Sequence, residues 1–249
     1  MKHPYRSEYF IAHVAPDDLF VASLGELAWA TGIPDGRVQS KYILEIGLIA
    51  LVAHAEAFFK NEFAALVNIH PDLLIDFSRS RGKNVTVDVL DLVQLGWPIE
   101  TKLGFLISEK QDFTSAKSIN GLYRDLIKVT PFSKDEAEEF GRLVNDRNLL
   151  VHHGGILTSR HDARRIPREV PETKVFYDAL EVTIPDFDHW ANFVQRVVLK
   201  TAKSAHEALV ARVGELPNKL PEAAMHALGA LAPKWSFLLE RLNTQLREA

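Results

Sequence analysis

The amino-acid sequence predicts an all-α protein, arranged as an antiparallel bundle of helices. The longest apolar segment, Ser40 to Ile69, is apolar on nearly every side, as expected of a helix at the centre of a bundle. A second segment, Ser133 to Gly155, carries the signals with which helices begin and end. The stretches between them resemble helices of about ten residues joined by short links, which is typical of antiparallel bundles.

The composition is that of a globular protein with a substantial core. Of 249 residues, 47% are hydrophobic and 25% are charged. The chain has no cysteine, which excludes disulfides and thiolate metal sites. Its net charge of -4 gives no overall attraction to nucleic acid, so any contact with RNA requires a local basic patch.

We expect a cytoplasmic protein without a membrane span. The residues after Met1 contain no apolar segment of the kind found in signal peptides. The longest apolar run, Tyr42 to Phe59, is interrupted by two glutamates and a histidine, which favours a buried helix over a membrane-spanning one.

Three parts are predicted along the chain. Residues 1–39 form an N-terminal extension with one helix that begins near Pro16. Residues 40–214 form the helical bundle, and residues 215–249 form a C-terminal helical extension interrupted by prolines.

Inside the bundle, residues 76–84 are rich in arginine and serine and are predicted to be a basic loop. Residues 85–95 and 99–108 are predicted to be two short helices separated by a Gly-Trp-Pro turn. Residues 115–127 are predicted to form the helix before the Ser133 segment.

The Ser133 segment has a complete set of helix signals. Ser133 and Glu136 match the capping-box pattern S-x-x-E, and acidic residues crowd the first turns, where the helix dipole favours negative charge. Gly154 and Gly155 end the helix, since glycine adopts a left-handed conformation without steric cost.

On a helical wheel an arginine falls inside the apolar stripe of this helix. The stripe consists of Phe140, Leu143, Val144, Leu150 and Val151, and Arg147 lies in its middle. Asn148 and His152 share the adjoining flank, whereas Leu149 lies on the opposite side. A guanidinium directed toward a core needs an anionic partner or a wet cleft.

Glu56 is the expected partner of Arg147. Glu45 and Glu56 project from the long apolar helix in nearly one direction, because eleven residues make about three turns. We expect a contact between Glu56 and Arg147, with Glu45 as the alternative partner. The structural alternative is that Glu56 pairs with Lys60 on a solvated edge.

The segment after Gly155 is the most basic part of the chain. It is either a solvated connection or a loop that contacts phosphates, and its position directly after His152 favours the second reading. In residues 174–184 apolar and polar side chains alternate enough to predict a short strand or hairpin arm, and a helix follows to Gly214. The residues expected to contact RNA are Arg160, His161, Arg164, Arg165 and Arg168.

Arg147, Asn148 and His152 resemble the R-N-x-x-x-H signature of the HEPN superfamily. In that family the signature lies late in a long helix of an all-helical bundle. The resemblance covers roughly Ser40 to Gly155, and the apolar helix with its embedded Glu56 is similar to the companion helix of bacterial members.

The resemblance implies a metal-independent endoribonuclease of a toxin or anti-phage defence system, without a cofactor. It implies that Arg147 stabilises the phosphate, that His152 transfers protons and that Asn148 orients the phosphate or the His152 imidazole. Glu56 would be the supporting carboxylate, and His153 competes with His152 for the catalytic role. The expected partners are RNA, a second copy of the chain in a two-fold homodimer, and an antitoxin or other effector partner.

Two other readings come from the same residues. The family also contains non-catalytic members, so a dimeric helical module that binds RNA or protein is the alternative function. Metal binding by His152, His153, His161 and Asp162 is disfavoured, because adjacent histidines on a helix diverge by about 100°. The sequence contains no H-E-x-x-H, P-loop, G-x-G-x-x-G or G-x-S-x-G motif.

Overall fold

The computed structural model describes residues 7–11, 13–32, 40–82, 84–95, 99–157, 179–215, 220–235 and 237–238. Within these ranges the protein is all-α, which confirms the predicted fold class. The helices are α1 (Pro16–Thr31), α2 (Lys41–Ile69), α3 (Leu73–Arg81), α4 (Val89–Leu95), α5 (Leu103–Glu109), α6 (Ala116–Ile127), α7 (Lys134–His153), α8 (Ile184–Gly214) and α9 (Glu222–Ala230), with a 3-10 turn at Ile99–Thr101.

Helix α2 is the central element of the bundle. It begins where the predicted segment begins, and the Ser40 hydroxyl caps it by accepting a hydrogen bond from the backbone N–H of Tyr42 at 3.3 Å. Helices α1, α5, α7, α8 and α9 all contact it. Because neighbours cover α2 on several sides, its sequence has no continuous polar face.

By length and composition, Tyr42–Ile69 is the one helix in the described ranges that could span a membrane. A buried core helix satisfies the same criteria, so this property is weak evidence for a membrane. Much of the second half of α2, including Phe63 and Leu66, is fully covered by protein.

Helix α5 approaches α2 closely at Gly104. A β-carbon at this position would lie 2.1 Å from the carbonyl oxygen of Ala64, so only glycine fits there. The side chain of Asn68 accepts from the Gly104 N–H at 2.6 Å and donates to the Tyr9 carbonyl at 3.0 Å. One buried amide therefore joins α2 to α5 and to the N-terminal residues.

A cluster of aromatic rings fixes α6 and α7 against α2. Phe59 of α2 contacts Tyr123 of α6 edge-on at 6.1 Å between ring centroids, and Phe132 at 5.3 Å. Phe132 in turn contacts Phe140 of α7 at 4.8 Å. The Tyr123 hydroxyl donates to the Phe59 carbonyl at 2.9 Å, so this buried phenol has a hydrogen-bond partner.

One local prediction is wrong: most of residues 76–84 are helical rather than a loop, because α3 runs to Arg81 and ends at Gly82 in the left-handed conformation. The predicted strand or hairpin arm over residues 174–184 is described only from Ala179, which forms a single antiparallel bridge with Ile156, and Ile184 already begins α8. Residues 174–178 lie outside the described ranges.

Two carboxyl groups are buried where α1 meets α2. Asp17 is 2% exposed and Glu62 is 1% exposed. Within the described part of the chain, Asp17 Oδ1 and Glu62 Oε2 have no hydrogen-bond partner. The pKa of Asp17 is raised to about 6, mainly by burial and also by the charge of Asp18, while Lys234 acts in the opposite direction. Burial also raises the pKa of Glu62 well above its usual range, and Asp17 contributes in the same direction.

The Asp17→Asn variant tests this buried pair through pH dependence. In wild type, the pKa of Asp17 is higher in the folded than in the unfolded chain, so stability is lost as pH rises from about 4 through about 6. A shift from 3.8 to about 6 corresponds to about 3 kcal/mol. The variant should therefore gain stability relative to wild type by about this amount between about pH 4 and about pH 8 in urea unfolding.

The Glu62→Gln variant should change in the same direction, because it also removes a buried acid whose pKa is raised on folding. A difference from wild type that stays constant over this pH range in both variants would contradict the description of this interface.

Candidate functional site

Helix α7 is anchored at its N-terminal end by the predicted capping box. The Ser133 hydroxyl accepts from the Glu136 N–H at 3.3 Å, and the Glu136 carboxylate accepts from the Ser133 N–H at 2.8 Å. Glu136 also accepts a hydrogen bond from Lys200 of α8. Burial opposes its ionisation, but the bonds from Lys200 and Ser133 lower the pKa of Glu136 below its usual value.

At its C-terminal end, α7 stops as predicted at Gly154. Gly154 has φ +58° and Gly155 has φ +81°, both in the left-handed region that glycine adopts readily. The Gly155 N–H donates to the Leu149 carbonyl at 3.2 Å. The motif residues therefore occupy the last two turns of a helix whose two ends are both fixed.

The buried side of α7 differs from the predicted stripe. Leu143 and Leu150 are buried as expected, but Val151 is 48% exposed. Leu149, predicted to lie on the opposite side, is 3% exposed and packs within its own chain. The core thus covers the arc from Leu149 through Leu143 to Phe140, and Arg147 lies near the end of that arc. Because its own chain covers Leu149, this residue is not available for contact with a second copy of the chain.

Arg147 forms the expected contact with Glu56. Its Nη2 atom donates to Glu56 Oε1 at 2.5 Å, while the two side chains remain 20% and 24% exposed. The Nε atom of Arg147 is buried and has no partner in the described ranges. Burial raises the pKa of Glu56, whereas the charge and hydrogen bond of Arg147 lower it. The net direction is upward, so the arginine only partly offsets the cost of burying this carboxylate.

The alternatives for this contact are not observed. Arg147 is bonded to Glu56 and not to Glu45, and Glu56 forms its ion pair with Arg147 rather than with Lys60. The pair joins α2 to α7 near the end of α7 that carries Asn148 and His152.

Asn148, His152 and His153 lie at the accessible end of α7. Asn148 is half-buried, and both histidines are exposed. Asn148 and His152 are four residues apart in a continuous helix and therefore lie on one flank. His153 is turned about 100° away from His152.

Arg147 and His152 are not brought together within one chain. Five helical residues separate them by about 140° around the axis and about 7.5 Å along it. Arg147 is directed at Glu56, whereas His152 lies on the flank of Asn148. Within one chain the two side chains are therefore directed to different parts of the surface of α7.

Two further sets of residues considered in the sequence analysis lie wholly or partly outside the described ranges, namely the disfavoured metal ligands and the predicted RNA contacts. No three His, Asp or Glu side chains come close enough there to hold a metal ion, and His161 and Asp162 lie outside those ranges. The predicted RNA-contacting residues also lie outside them, namely Arg160, His161, Arg164, Arg165 and Arg168.

A groove between α6 and α7 was not predicted from the sequence. Its volume is about 1040 Å³, and it extends along α7 from Lys134 to Asn145. Neither Arg147 nor His152 lines it. The sequence indicates only one wall of this groove. Residues at intervals of four, three and four share one face of a helix, as do Gly141, Asn145, Asn148 and His152.

No protein-family model matches the chain, and comparison with curated proteins and with solved structures gave no match either. The likeness to the HEPN superfamily therefore rests on the motif and its placement, and stays a prediction.

The ion pair can be tested by removing one partner at a time. Arg147→Ala leaves a half-buried carboxylate without its cation, and should lower the free energy of unfolding at neutral pH by about 1–3 kcal/mol. The loss should shrink at acidic pH, because protonated Glu56 no longer needs the cation. Urea unfolding at both pH values measures the effect.

Glu56→Gln provides the matched variant, since glutamine keeps the shape and an acceptor oxygen but no charge. In the Glu56→Gln background, Arg147→Ala should cost clearly less than in wild type. Equal costs in both backgrounds would show that the two side chains are not energetically coupled.

Proposed function

We propose that this protein is a metal-independent endoribonuclease that acts at the C-terminal end of α7. The observation that carries the proposal is the state of Arg147. Its guanidinium is held by Glu56 while its side chain stays 20% exposed, and two exposed histidines follow five and six residues later on the same helix. A permanent cation and imidazoles at one open helix end are the side chains that phosphate chemistry uses.

The proposed reaction is attack by the RNA 2′-hydroxyl on the adjacent phosphate. The 2′-oxygen forms a bond to phosphorus, the bond to the 5′-oxygen breaks, and a 2′,3′-cyclic phosphate and a 5′-hydroxyl remain. His152 transfers the protons, since histidine gains and loses a proton near neutral pH. Arg147 stabilises the charge on the phosphate oxygens, and Asn148 orients the phosphate or the imidazole.

We further propose that the site is shared across a two-fold dimer. The separation of Arg147 and His152 within one chain supports this arrangement. Val151, four residues after Arg147 on the same side of α7, is 48% exposed, so apolar surface lies beside the ion pair. A second copy would cover this surface and bring its own His152 toward Arg147.

The ion pair also favours a second candidate function. Because Glu56 already accepts a hydrogen bond from Arg147 at 2.5 Å, the arginine has a structural role within its own chain. In that case the protein is a non-catalytic helical module that binds RNA or protein, and His152 is an exposed helix-end residue. The two candidates differ in whether RNA is cut.

Cleavage of labelled RNA in the presence of EDTA tests the proposal. Wild type should cut RNA and leave cyclic phosphate ends, and His152→Ala should lower the rate at least about 100-fold. His226→Ala, which removes an exposed histidine of α9, is the matched control and should cut like wild type. Intact RNA with wild-type protein, or equal cutting by all three proteins, would contradict the nuclease proposal.

Mixing two inactive variants tests the shared site. If one chain supplies Arg147 and the other His152, a mixture of Arg147→Ala and His152→Ala should regain about a quarter of the wild-type activity. Half of randomly mixed dimers contain both variants, and one of their two sites is intact. A mixture that stays inactive while each variant is folded would argue against the shared arrangement.

A further inference from the structure

We propose that the groove between α6 and α7 binds single-stranded RNA and leads the strand to His152. This inference rests on the proposed function in one respect: the strand is proposed to run toward His152 because cleavage is assigned to that residue. The groove is preformed, because Asn120 of α6 exchanges two hydrogen bonds of 2.8 Å with the backbone of Phe132 before α7. Phe140 forms its buried floor.

Charge is the first argument for RNA. The groove is lined by four cationic side chains and two carboxylates, although the whole protein has a net charge of -4. One carboxylate, Asp125, is shared by Arg81 at 3.1 Å and Arg124 at 3.8 Å. Lys117 and Lys134 are exposed and lie beyond 4.0 Å of every carboxylate in the described ranges. The groove is thus a local basic patch of the kind that phosphates require.

The glycines of the groove walls are the second argument. Gly121 of α6 and Gly141 of α7 both line the groove and both lie inside helices, where glycine is unfavourable. A β-carbon at either position would meet no atom within 4 Å, so packing inside the protein does not require glycine there. Together with the surrounding cations, these open backbone surfaces allow a ligand to approach α6 and α7 closely.

The direction of the groove is the third argument. Gly141 and Asn145 line it, and Asn148 and His152 continue the same face of α7. From Gly141 to His152 this face is about 17 Å long. A strand that lies along it passes two amide side chains and reaches the imidazole, whereas Arg147 is directed at Glu56.

The groove fits a single strand better than a duplex or a peptide. Double-stranded RNA is recognised across its shallow minor groove over about 16 base pairs, whereas the groove follows α7 only from Lys134 to Asn145, a length of about 17 Å. A bound peptide helix would need exposed apolar anchors. The groove offers few, since Phe140 is 1% exposed and Val144 is half-buried. Single-strand grooves instead follow the phosphate backbone with cations.

Binding can be measured without cleavage, by using a fluorescein-labelled 2′-O-methyl oligouridylate of about 12 nucleotides. This probe lacks the attacking hydroxyl, so wild-type protein can be used. Gly141→Glu and Gly121→Glu place a negative charge in the groove while removing a helix-weakening glycine. Each should raise the Kd about tenfold or more in fluorescence anisotropy.

Gly25→Glu on α1 is the matched control, because it makes the same substitution at an exposed helical glycine that also has no atom within 4 Å. Its Kd should stay within about twofold of wild type. Gly141→Gln, which fills the groove without charge, should weaken binding less than Gly141→Glu. Replacing Lys117 and Lys134 by alanine should reduce the slope of log Kd against log salt by about 1.4.

Groove variants that bind the probe as Gly25→Glu does would overturn the inference. So would wild type that does not bind the probe, or that binds an RNA duplex as tightly. These outcomes are separable from failure of the nuclease proposal. If the probe binds in the groove but RNA is not cut in EDTA, RNA binding by the groove is supported and the nuclease proposal fails. If RNA is cut but the groove variants cut it like wild type, the nuclease proposal is supported and the role of the groove fails.

Discussion

The ion pair between Glu56 and Arg147 is the interaction on which the arrangement of this protein's candidate site depends. It joins the central helix α2 to α7 through one hydrogen bond of 2.5 Å at the edge of the core. With the arginine directed inward on one side of α7, the residues about 100–140° around the axis face outward. Asn148 and His152 occupy those positions, so the contact that fixes the helix also fixes what it presents to solvent.

The same pair explains why a charged residue is tolerated beside apolar neighbours. Both side chains keep a fifth to a quarter of their surface exposed, which reduces the desolvation cost of each charge. Burial still raises the pKa of Glu56, so the pair is not a simple gain in stability. Under the proposed function, the pair holds Arg147 in place while a fifth of its side chain stays accessible to a phosphate.

Much of this architecture could be predicted from the sequence, because its strongest signals are local or carry a charge. The chain begins α2 and α7 where the sequence predicted, after Ser40 and at the cap Ser133, and Arg147 inside an apolar pattern indicated Glu56 as its partner. The helical wheel predicted that Val151 is buried and that Leu149 lies on the opposite side, and the structure shows the reverse. A wheel uses only residue types and spacing and contains no information about where neighbouring helices pack. Residues 76–84 appeared too polar for a helix, although α3 needs to bury only Leu73 and Phe77. The groove depends on the relative placement of α6 and α7, which no local pattern encodes.

If RNA lies along the face of α7 from Gly141 to His152, as proposed, it should shield a side chain placed on that face. The chain contains no cysteine, so a single introduced thiol can be followed alone. The rate of maleimide modification, with and without the 2′-O-methyl oligouridylate, should be compared for Asn145→Cys on this face and Glu26→Cys, an exposed position of α1. RNA should slow modification of the Asn145→Cys thiol about tenfold at saturation and leave the Glu26→Cys thiol unchanged. Equal rates with and without bound RNA in both variants would contradict this proposal.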